Sequence, residues 1–210
     1  MPFDFKKEEK QFYKPKTIPE IIDIPKMEFI AIDGMGDPNE LDGEYQAAVK
    51  QLYSLAYTIR MSERNGYTID DFFVFVVPPF EGYWWQDGVH GVDSSRKEDF
   101  QWVMKLRMPE YVTPQVFEWA QNEVLNKKKI NTANVYLTTV TEGLTVQILH
   151  IGPYDDEVHS VSKMHDYINQ EGYQLDISDI KHHHEIYLSD PRKADPAKLK
   201  TILRHPIKKK

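Results

Sequence analysis

The stretch Leu106-Arg107-Met108-Pro109 returns almost unchanged near the end of the chain as Leu203-Arg204-His205-Pro206. A second pair of stretches behaves in the same way, because Gly34-Met35-Gly36-Asp37 resembles Gly152-Pro153-Tyr154-Asp155. Each of the four stretches ends or follows a run of apolar and β-branched residues that is typical of a strand. The chain is therefore predicted to contain the same structural unit twice.

Each unit is predicted to follow the order strand, turn, strand, helix, strand, strand. The predicted strands are 21–24, 27–33, 72–77 and 100–107 in the first half, and 134–140, 144–151, 184–188 and 199–204 in the second half, with a turn at 141–143. Helical spacing of apolar residues begins at Glu44 in the first half. In the second half, the predicted apolar face of the helix consists of Val158, Val161, His165 and Ile168.

The two units are predicted to form one domain over residues 1–210. The first half covers about 17–110 and the second about 133–207. Thr113-Pro114 is a helix start, with threonine as the N-cap and proline at the first helical position. This helix is expected to connect the halves over about 113–129. The fold class is α+β, with helices packed on antiparallel sheets.

Composition excludes several classes of function. The chain has 210 residues, a net charge of −7 and no cysteine, so disulfides and thiolate chemistry are excluded. The negative charge argues against a nucleic-acid partner. No apolar run approaches the roughly 18 residues of a membrane span, and the charged N-terminus lacks a signal-peptide pattern. We expect a cytoplasmic monomer that does not bind membranes.

The second half resembles a known family in two places. These are Ile151-Gly152-Pro153-Tyr154-Asp155-Asp156 before a helix, and Glu185-Ile186-Tyr187-Leu188-Ser189-Asp190-Pro191. Both are similar to the GyrI-like (DNA gyrase inhibitor-like) family, which shares the effector-binding fold of some multidrug-responsive regulators. The resemblance implies two ββαββ-type halves about a pseudo-twofold axis, with a cleft between them that binds drugs and dyes. It also implies that Glu185 contacts the ligand. The regulators carry an N-terminal helix-turn-helix, and residues 1–25 are too short and too rich in proline to form one.

The aromatic stretch Glu81-Gly82-Tyr83-Trp84-Trp85 indicates a particular group within this family. It is similar to stand-alone members with an aromatic cage that hydrolyse cyclopropane-bearing, DNA-alkylating toxins of the yatakemycin and CC-1065 type. The implied role is detoxification of a xenobiotic. Two alternatives stay open: a protein that only sequesters flat aromatic or cationic molecules, and a protein that interacts with gyrase.

Two residues are candidates for catalysis. Strand alternation places Glu185 and Tyr187 on one face, and a partly desolvated Glu185 could act as a general base on water. The alternative is a solvated glutamate at a strand edge. Tyr111 is expected to cap the cleft and to stabilise a developing phenolate.

The candidate ligand-binding residues are mostly aromatic. Adjacent tryptophans in a loop cannot both enter one core face, so one is expected to form a pocket wall, although a small satellite core is the alternative. Phe73 is predicted to stand opposite Glu185 in the duplicate half. The full predicted set is Phe73, Tyr83, Trp84, Trp85, Trp102, Tyr136, Tyr154 and Tyr187.

The run His182-His183-His184 raises the question of a metal site. Because no second ligand pair has suitable spacing, a solvated run at the start of a strand is favoured. Gly34-Met35-Gly36 lacks the full dinucleotide fingerprint and no lysine follows it at phosphate-loop spacing. No metal and no cofactor are assigned.

Overall fold

The protein is described by a computed structural model that covers residues 1–89, 93 and 95–210. The helices are α1 (Phe5–Glu8), α2 (Lys10–Tyr13), α3 (Glu44–Arg60), α4 (Pro114–Lys128) and α5 (Glu157–Gln170). The strands are β1 (Glu20–Met35), β2 (Phe80–Trp85), β3 (Gln101–Met108), β4 (Tyr136–Ile151), β5 (Tyr173–Leu175), β6 (His183–Tyr187) and β7 (Lys200–Lys209).

Six of the strands form a closed antiparallel barrel in the order β4-β1-β3-β2-β6-β7, and a further pairing of β4 with β7 closes the ring. The short strand β5 pairs with the far end of β7. Closure gives each of the six strands two hydrogen-bonded neighbours. The predicted α+β class with antiparallel strands and helices is confirmed.

The duplication is visible in the strand registers. β1 pairs Ile30 with Leu106 of β3, and β4 pairs Ile148 with Leu203 of β7. Gly34 follows Ile30 by four positions, as Gly152 follows Ile148. Both repeated pairs in the sequence are therefore structurally equivalent, and β1-α3-β2-β3 corresponds to β4-α5-β6-β7.

The predicted pairs of short strands before each helix are single long strands. The segments 21–24 and 27–33 merge into β1, and 134–140 and 144–151 merge into β4. Gly143, in the predicted turn, keeps a left-handed backbone with φ of 70° but stays paired with Ile24. Each half is therefore β-α-β-β, because a local irregularity bends the strand without reversing it.

The predicted strand at 72–77 is wrong. Only Phe75 makes a bridge, with Phe3, and it is fully buried, whereas Phe73, Val74 and Val76 are exposed. The strand of the barrel is β2, which begins after Pro78-Pro79. A single large side chain filling the core from a loop explains the apolar run without a strand.

Other predicted boundaries change less. Thr113 caps α4 by accepting a hydrogen bond from the amide of Val116, as expected. The last strand continues through Pro206 to Lys209 instead of stopping at the proline.

Within the described ranges, no helix combines the length and the apolar character needed to span a bilayer.

Candidate functional site

A cleft of about 810 Å³ lies between α3 and the start of α5, above β2 and β6. This volume falls in the usual range of about 300–1,000 Å³ for small-molecule sites. Because β2 and β6 are equivalent strands that pair with each other, the floor of the cleft lies where the two halves meet. The cleft is therefore an inter-repeat site.

Seven aromatic residues line the cleft. They are Tyr45, Tyr53, Phe80, Trp84, Phe100, Tyr154 and Tyr187. Tyr53 stacks on Phe80 with ring centroids 5.8 Å apart, and Phe80 stacks on Tyr187 at 6.3 Å. Such walls favour a flat ligand, since each aromatic pair adds about 0.5–1.5 kcal/mol beyond area burial.

Two carboxyl groups lie together at the bottom of the cleft. Glu185 comes from β6 and Glu157 from the first turn of α5. Ligand atoms of Glu157, His183 and Glu185 all lie within 4.8 Å of one another. Glu157 is buried, and its Oε1 has no hydrogen-bond partner among the described residues.

The two carboxyl groups differ in protonation. Burial, together with the negative charge of Glu185, raises the pKa of the Glu157 carboxyl well above its usual range. Like charges this close cannot both ionise easily, so the pair holds one proton. The raised pKa of Glu157 favours Glu157 as the carrier of that proton.

Two side chains that can form hydrogen bonds, His183 and Tyr187, lie beside Glu185. The Nε2 atom of His183 lies 3.1 Å from Oε1 of Glu185. The indole of Trp84 donates to the phenol oxygen of Tyr187 at 2.8 Å, which orients that phenol beside Glu185. Burial, followed by the charge of Glu185, raises the pKa of the Tyr187 phenol far above its usual value, so Tyr187 remains a donor.

The distances among Glu157, His183 and Glu185 would also suit a divalent cation. A cation needs ionised carboxylates, whereas burial and the neighbouring Glu185 raise the pKa of the Glu157 carboxyl and so disfavour its ionisation. We therefore assign the three groups to proton chemistry.

A second charged cluster lies inside the barrel, on the opposite face of β6. Here His184 places Nε2 3.1 Å from Glu81 and Nδ1 2.9 Å from Glu142. Lys105 pairs with Glu81 at 3.7 Å and Arg204 pairs with Glu142 at 3.8 Å. Every acid in this cluster has a cationic partner, so its role is structural.

Four of the predicted site residues line the cleft: Trp84, Tyr154, Glu185 and Tyr187. Their predicted roles in binding or catalysis remain predictions. Tyr154 packs edge-on against Tyr187 with centroids 5.8 Å apart, so the segment before α5 supplies a wall opposite α3.

Tyr111 and Phe73 do not line this cleft. Both line a smaller cavity of about 420 Å³ elsewhere, and the Tyr111 hydroxyl donates to the carbonyl oxygen of Phe73 at 2.9 Å. The expected position of Phe73 opposite Glu185 fails because 72–77 is not a strand. With Leu106 matched to Leu203, the registers make Phe80 the counterpart of Glu185.

The remaining four predicted residues also lie outside the cleft. Tyr83 points into the barrel, where the Lys105 ammonium lies 3.7 Å from its ring centroid. Trp85 stacks on His182 at 4.1 Å, and Trp102 is fully buried in the core. Tyr136 donates to Asp33 at 2.7 Å on an exposed part of β4. Strand alternation sends Tyr83 and Trp85 away from the face of Trp84.

The histidine run is not a solvated segment. His183 and His184 are buried on opposite faces of β6, and each has hydrogen-bond partners. His182 is half-buried against Trp85. The expectation of solvation was wrong because hydrogen bonds to carboxylates and to other histidines offset the cost of burial.

Sequence reasoning missed Glu157 and the α3 tyrosines. The buried face of α5 consists of Glu157, Ser160, Met164 and Ile168, and Val158 is exposed. Moving the predicted helical stripe by one residue would have put Glu157 on the buried face. A glutamate at such a position, ahead of an apolar stripe, was the available signal.

A duplicated barrel with one aromatic cleft at the repeat interface is the architecture of a small-molecule-binding domain. Residues 18–208 match the family model described as the GyrI-like small molecule binding domain. The chain belongs to the GyrI-like family.

Two crystal structures of a hydrolase from Listeria innocua are similar to this chain over nearly its whole length. Both are 47% identical, with TM-scores of 0.90 and 0.93, and they cover 98% and 99% of this chain and 100% of their own. The C-terminal domain of EcmrR is similar in fold alone, at 12% identity and a TM-score of 0.53 over 91% of this chain and 98% of that domain. A search of curated proteins found no match.

Proposed function

We propose that the cleft binds flat aromatic molecules and hydrolyses the cyclopropane of DNA-alkylating toxins of the yatakemycin and CC-1065 type. The observation that carries the proposal is the pair of carboxyl groups, Glu157 and Glu185, at the base of an aromatic cleft. The 47% identity to a hydrolase over the full length of both chains supports a hydrolytic reaction.

In this proposal, aromatic rings hold the flat ligand with its strained carbon above Glu185. Glu185 takes a proton from a water molecule while the water oxygen attacks the cyclopropane carbon. The carbon–carbon bond of the ring breaks, and its electron pair moves through the conjugated dienone to give a phenolate. The phenolate then takes up a proton, so the overall change is the addition of one water.

Protonated phenols at the cleft suit the developing negative charge. Burial is the main cause that raises the pKa values of the Tyr45 and Tyr187 phenols, so both stay donors at neutral pH. Tyr45 extends from α3 into the cleft and replaces Tyr111 in the role of stabilising the phenolate. Glu157 keeps its proton and lowers the negative charge that the ligand meets.

The experiment is to incubate the protein with a cyclopropane-bearing alkylator of this class and to follow the mixture by chromatography and mass spectrometry. The expected product is the ligand plus one water, with turnover beyond one equivalent. Tight binding without any product would leave a sequestering protein and refute the hydrolase. Loss of binding to a flat cationic dye in Glu185→Gln would then identify the charge on Glu185 as the basis of that sequestration.

A further inference from the structure

Three histidines from three different elements form a continuous row that begins at the cleft. His183 of β6 places its Nδ1 2.7 Å from Nε2 of His205 on β7. The Nδ1 of His205 lies 3.1 Å from Nε2 of His165 on α5. The other end of the row is the 3.1 Å contact between Nε2 of His183 and Glu185.

The backbone explains how the three rings come together. β6 pairs His184 with Arg204 of β7, so His183 and His205 are cross-strand neighbours on the face beneath α5. His165 follows Glu157 by eight positions, which is about 12 Å along the helix. The row therefore leads from the carboxyl pair at the start of α5 to a half-buried position two turns later.

The direction of these hydrogen bonds depends on the charge of Glu185. A neutral imidazole donates from one nitrogen and accepts at the other. An ionised Glu185 accepts only, so His183 must donate from Nε2 and accept at Nδ1. His205 must then donate from Nε2 to His183 and accept at Nδ1, and His165 must donate from Nε2.

We propose that His205 and His165 are positioning residues that lock His183 as a hydrogen-bond donor to Glu185, and thereby keep Glu185 the charged member of the carboxyl pair. The proposal rests on the proposed function, since it assigns Glu185 the role of base. In the reversed direction every ring would donate from Nδ1, and Glu185 would need a proton to bond His183. One direction of the row therefore corresponds to one charge state of the base.

The surroundings of the row favour the neutral form that such a lock needs. His205 is buried, and burial, together with the charges that His183 and His165 would carry, lowers the pKa of its imidazole well below the usual value. The charge of Glu142, from β4, acts in the opposite sense on His205. Burial also lowers the pKa of His165, against the charge of Asp166 beside it on α5. At the cleft end, Glu157 and Glu185 face His183.

The first test is independent of turnover. Nitrogen-15 NMR of histidine-labelled protein at neutral pH is expected to show all three rings protonated at Nε2. In His205→Leu, Glu185 is expected to share the proton of the carboxyl pair, so that His183 becomes a mixture of both tautomers. His205→Gln keeps an amide N–H donor and is expected to preserve the His183 signal. A ring of His205 or His183 protonated at Nδ1 in the unmodified protein would overturn the lock.

The second test uses the pH profile of hydrolysis. In His205→Leu, kcat is expected to fall about tenfold at neutral pH, as is common when a hydrogen-bonded neighbour of a functional group is lost. The acidic limb of the profile should move to higher pH with little change in KM, and His205→Gln should recover most of the rate.

The control for both tests is His159→Ala, on the exposed face of α5, which should match the unmodified protein. An unchanged acidic limb in a folded His205→Leu would overturn the lock while leaving the hydrolase intact. If the unmodified protein shows no turnover, the proposed function fails, and the tautomers measured by NMR still decide whether the row is locked.

Discussion

The acidic groups on the two faces of β6 differ in the charges that surround them. The inner face places His184 in a cluster with Glu81, Glu142, Lys105 and Arg204. The outer face carries Glu185 to Glu157, and among the described residues only the imidazole of His183 lies within ion-pair distance of that pair. In the barrel each acid is paired with a cation, which stabilises the fold. At the cleft the acids outnumber the cations, and such perturbed acids are typical of functional sites.

The difference is also seen in how burial acts. In the barrel, burial would raise the pKa of Glu142, but the charge and hydrogen bond of His184 and the charge of Arg204 lower it to about 2. In the cleft, burial and the neighbouring carboxylate act together on Glu157. The charges around each acid therefore decide whether its pKa is lowered or raised.

The largest expected effect is a loss of activity on changing the cleft face of β6. Glu185→Gln is expected to lower the rate of hydrolysis by about 10²–10⁴-fold, the usual contribution of a general base. The melting temperature should stay the same or rise, because the change replaces a partly buried charge with a neutral amide that can still accept a hydrogen bond from His183. Steady-state rates and calorimetry check this, and full activity in the variant would exclude Glu185 as the base.

Removing a cation from the barrel should lower the stability of the protein and leave ligand binding unchanged. Lys105→Met leaves Glu81 without its lysine and is expected to cost about 3–5 kcal/mol of stability. Urea unfolding measures this loss. Ligand affinity of the folded fraction should be unchanged, since Lys105 faces away from the cleft. A stable variant with weakened binding would show that the two faces are coupled.

The pH dependence of stability should differ in sign between the two acids. Glu142 has a lowered pKa, so its contribution is present above the unfolded value of about 4.3 and is lost as the pH falls towards 2, by about 3 kcal/mol. Glu157 has a raised pKa, so its favourable contribution is present below about 4.3 and is lost as the pH rises through the folded value.

Unfolding of Glu142→Gln and Glu157→Gln across this range tests both signs. In Glu142→Gln, the free energy of unfolding should fall less between pH 4 and pH 2 than it does in the unmodified protein. The second should be more stable than the unmodified protein at pH 8 and no more stable at pH 4. The same sign in both variants would contradict the contrast between barrel and cleft.

The smallest effect concerns two adjacent tryptophans. Trp84→Phe removes the hydrogen bond to Tyr187, so affinity for a flat aromatic ligand should fall about fivefold, the equivalent of about 1 kcal/mol. Trp85→Phe is the matched control, because Trp85 stacks on His182 outside the cleft. Titration of ligand fluorescence measures both, and equal losses would place the ligand elsewhere.

The sequence was sufficient for features that depend on local pattern and repetition. The two repeats, the cap of α4 and the location of Glu185 on a strand all follow from neighbouring residues. By contrast, the stretch 81–85 is predicted as a loop, because it lies in extra residues of the first half and is bounded by Gly82 and Gly88, whereas the structure places it in β2. In the barrel Gly82 is required, since an added Cβ would lie 2.5 Å from the methyl of Met104 and 2.8 Å from the Trp84 indole nitrogen.

The rest of the site depends on contacts between distant parts of the chain. Glu157 and Glu185 are separated by a helix, the short strand β5 and two loops, and His165 and His205 by 40 residues. An acidic residue in the first turn of a helix is common, because it favours the helix dipole, so its type alone did not distinguish Glu157. Only the strand register brings these groups to one face.

The pairing of β2 with β6 at the centre of the cleft has a consequence for the history of the molecule. Each half alone would leave unpaired strand edges at β1 and β2, or at β4 and β6, which two identical copies could cover by pairing with each other. A pocket on the symmetry axis of such a homodimer must present every group twice. Two halves within one chain are free of that constraint, and here the equivalent positions hold Phe80 and Glu185, so the cleft is asymmetric.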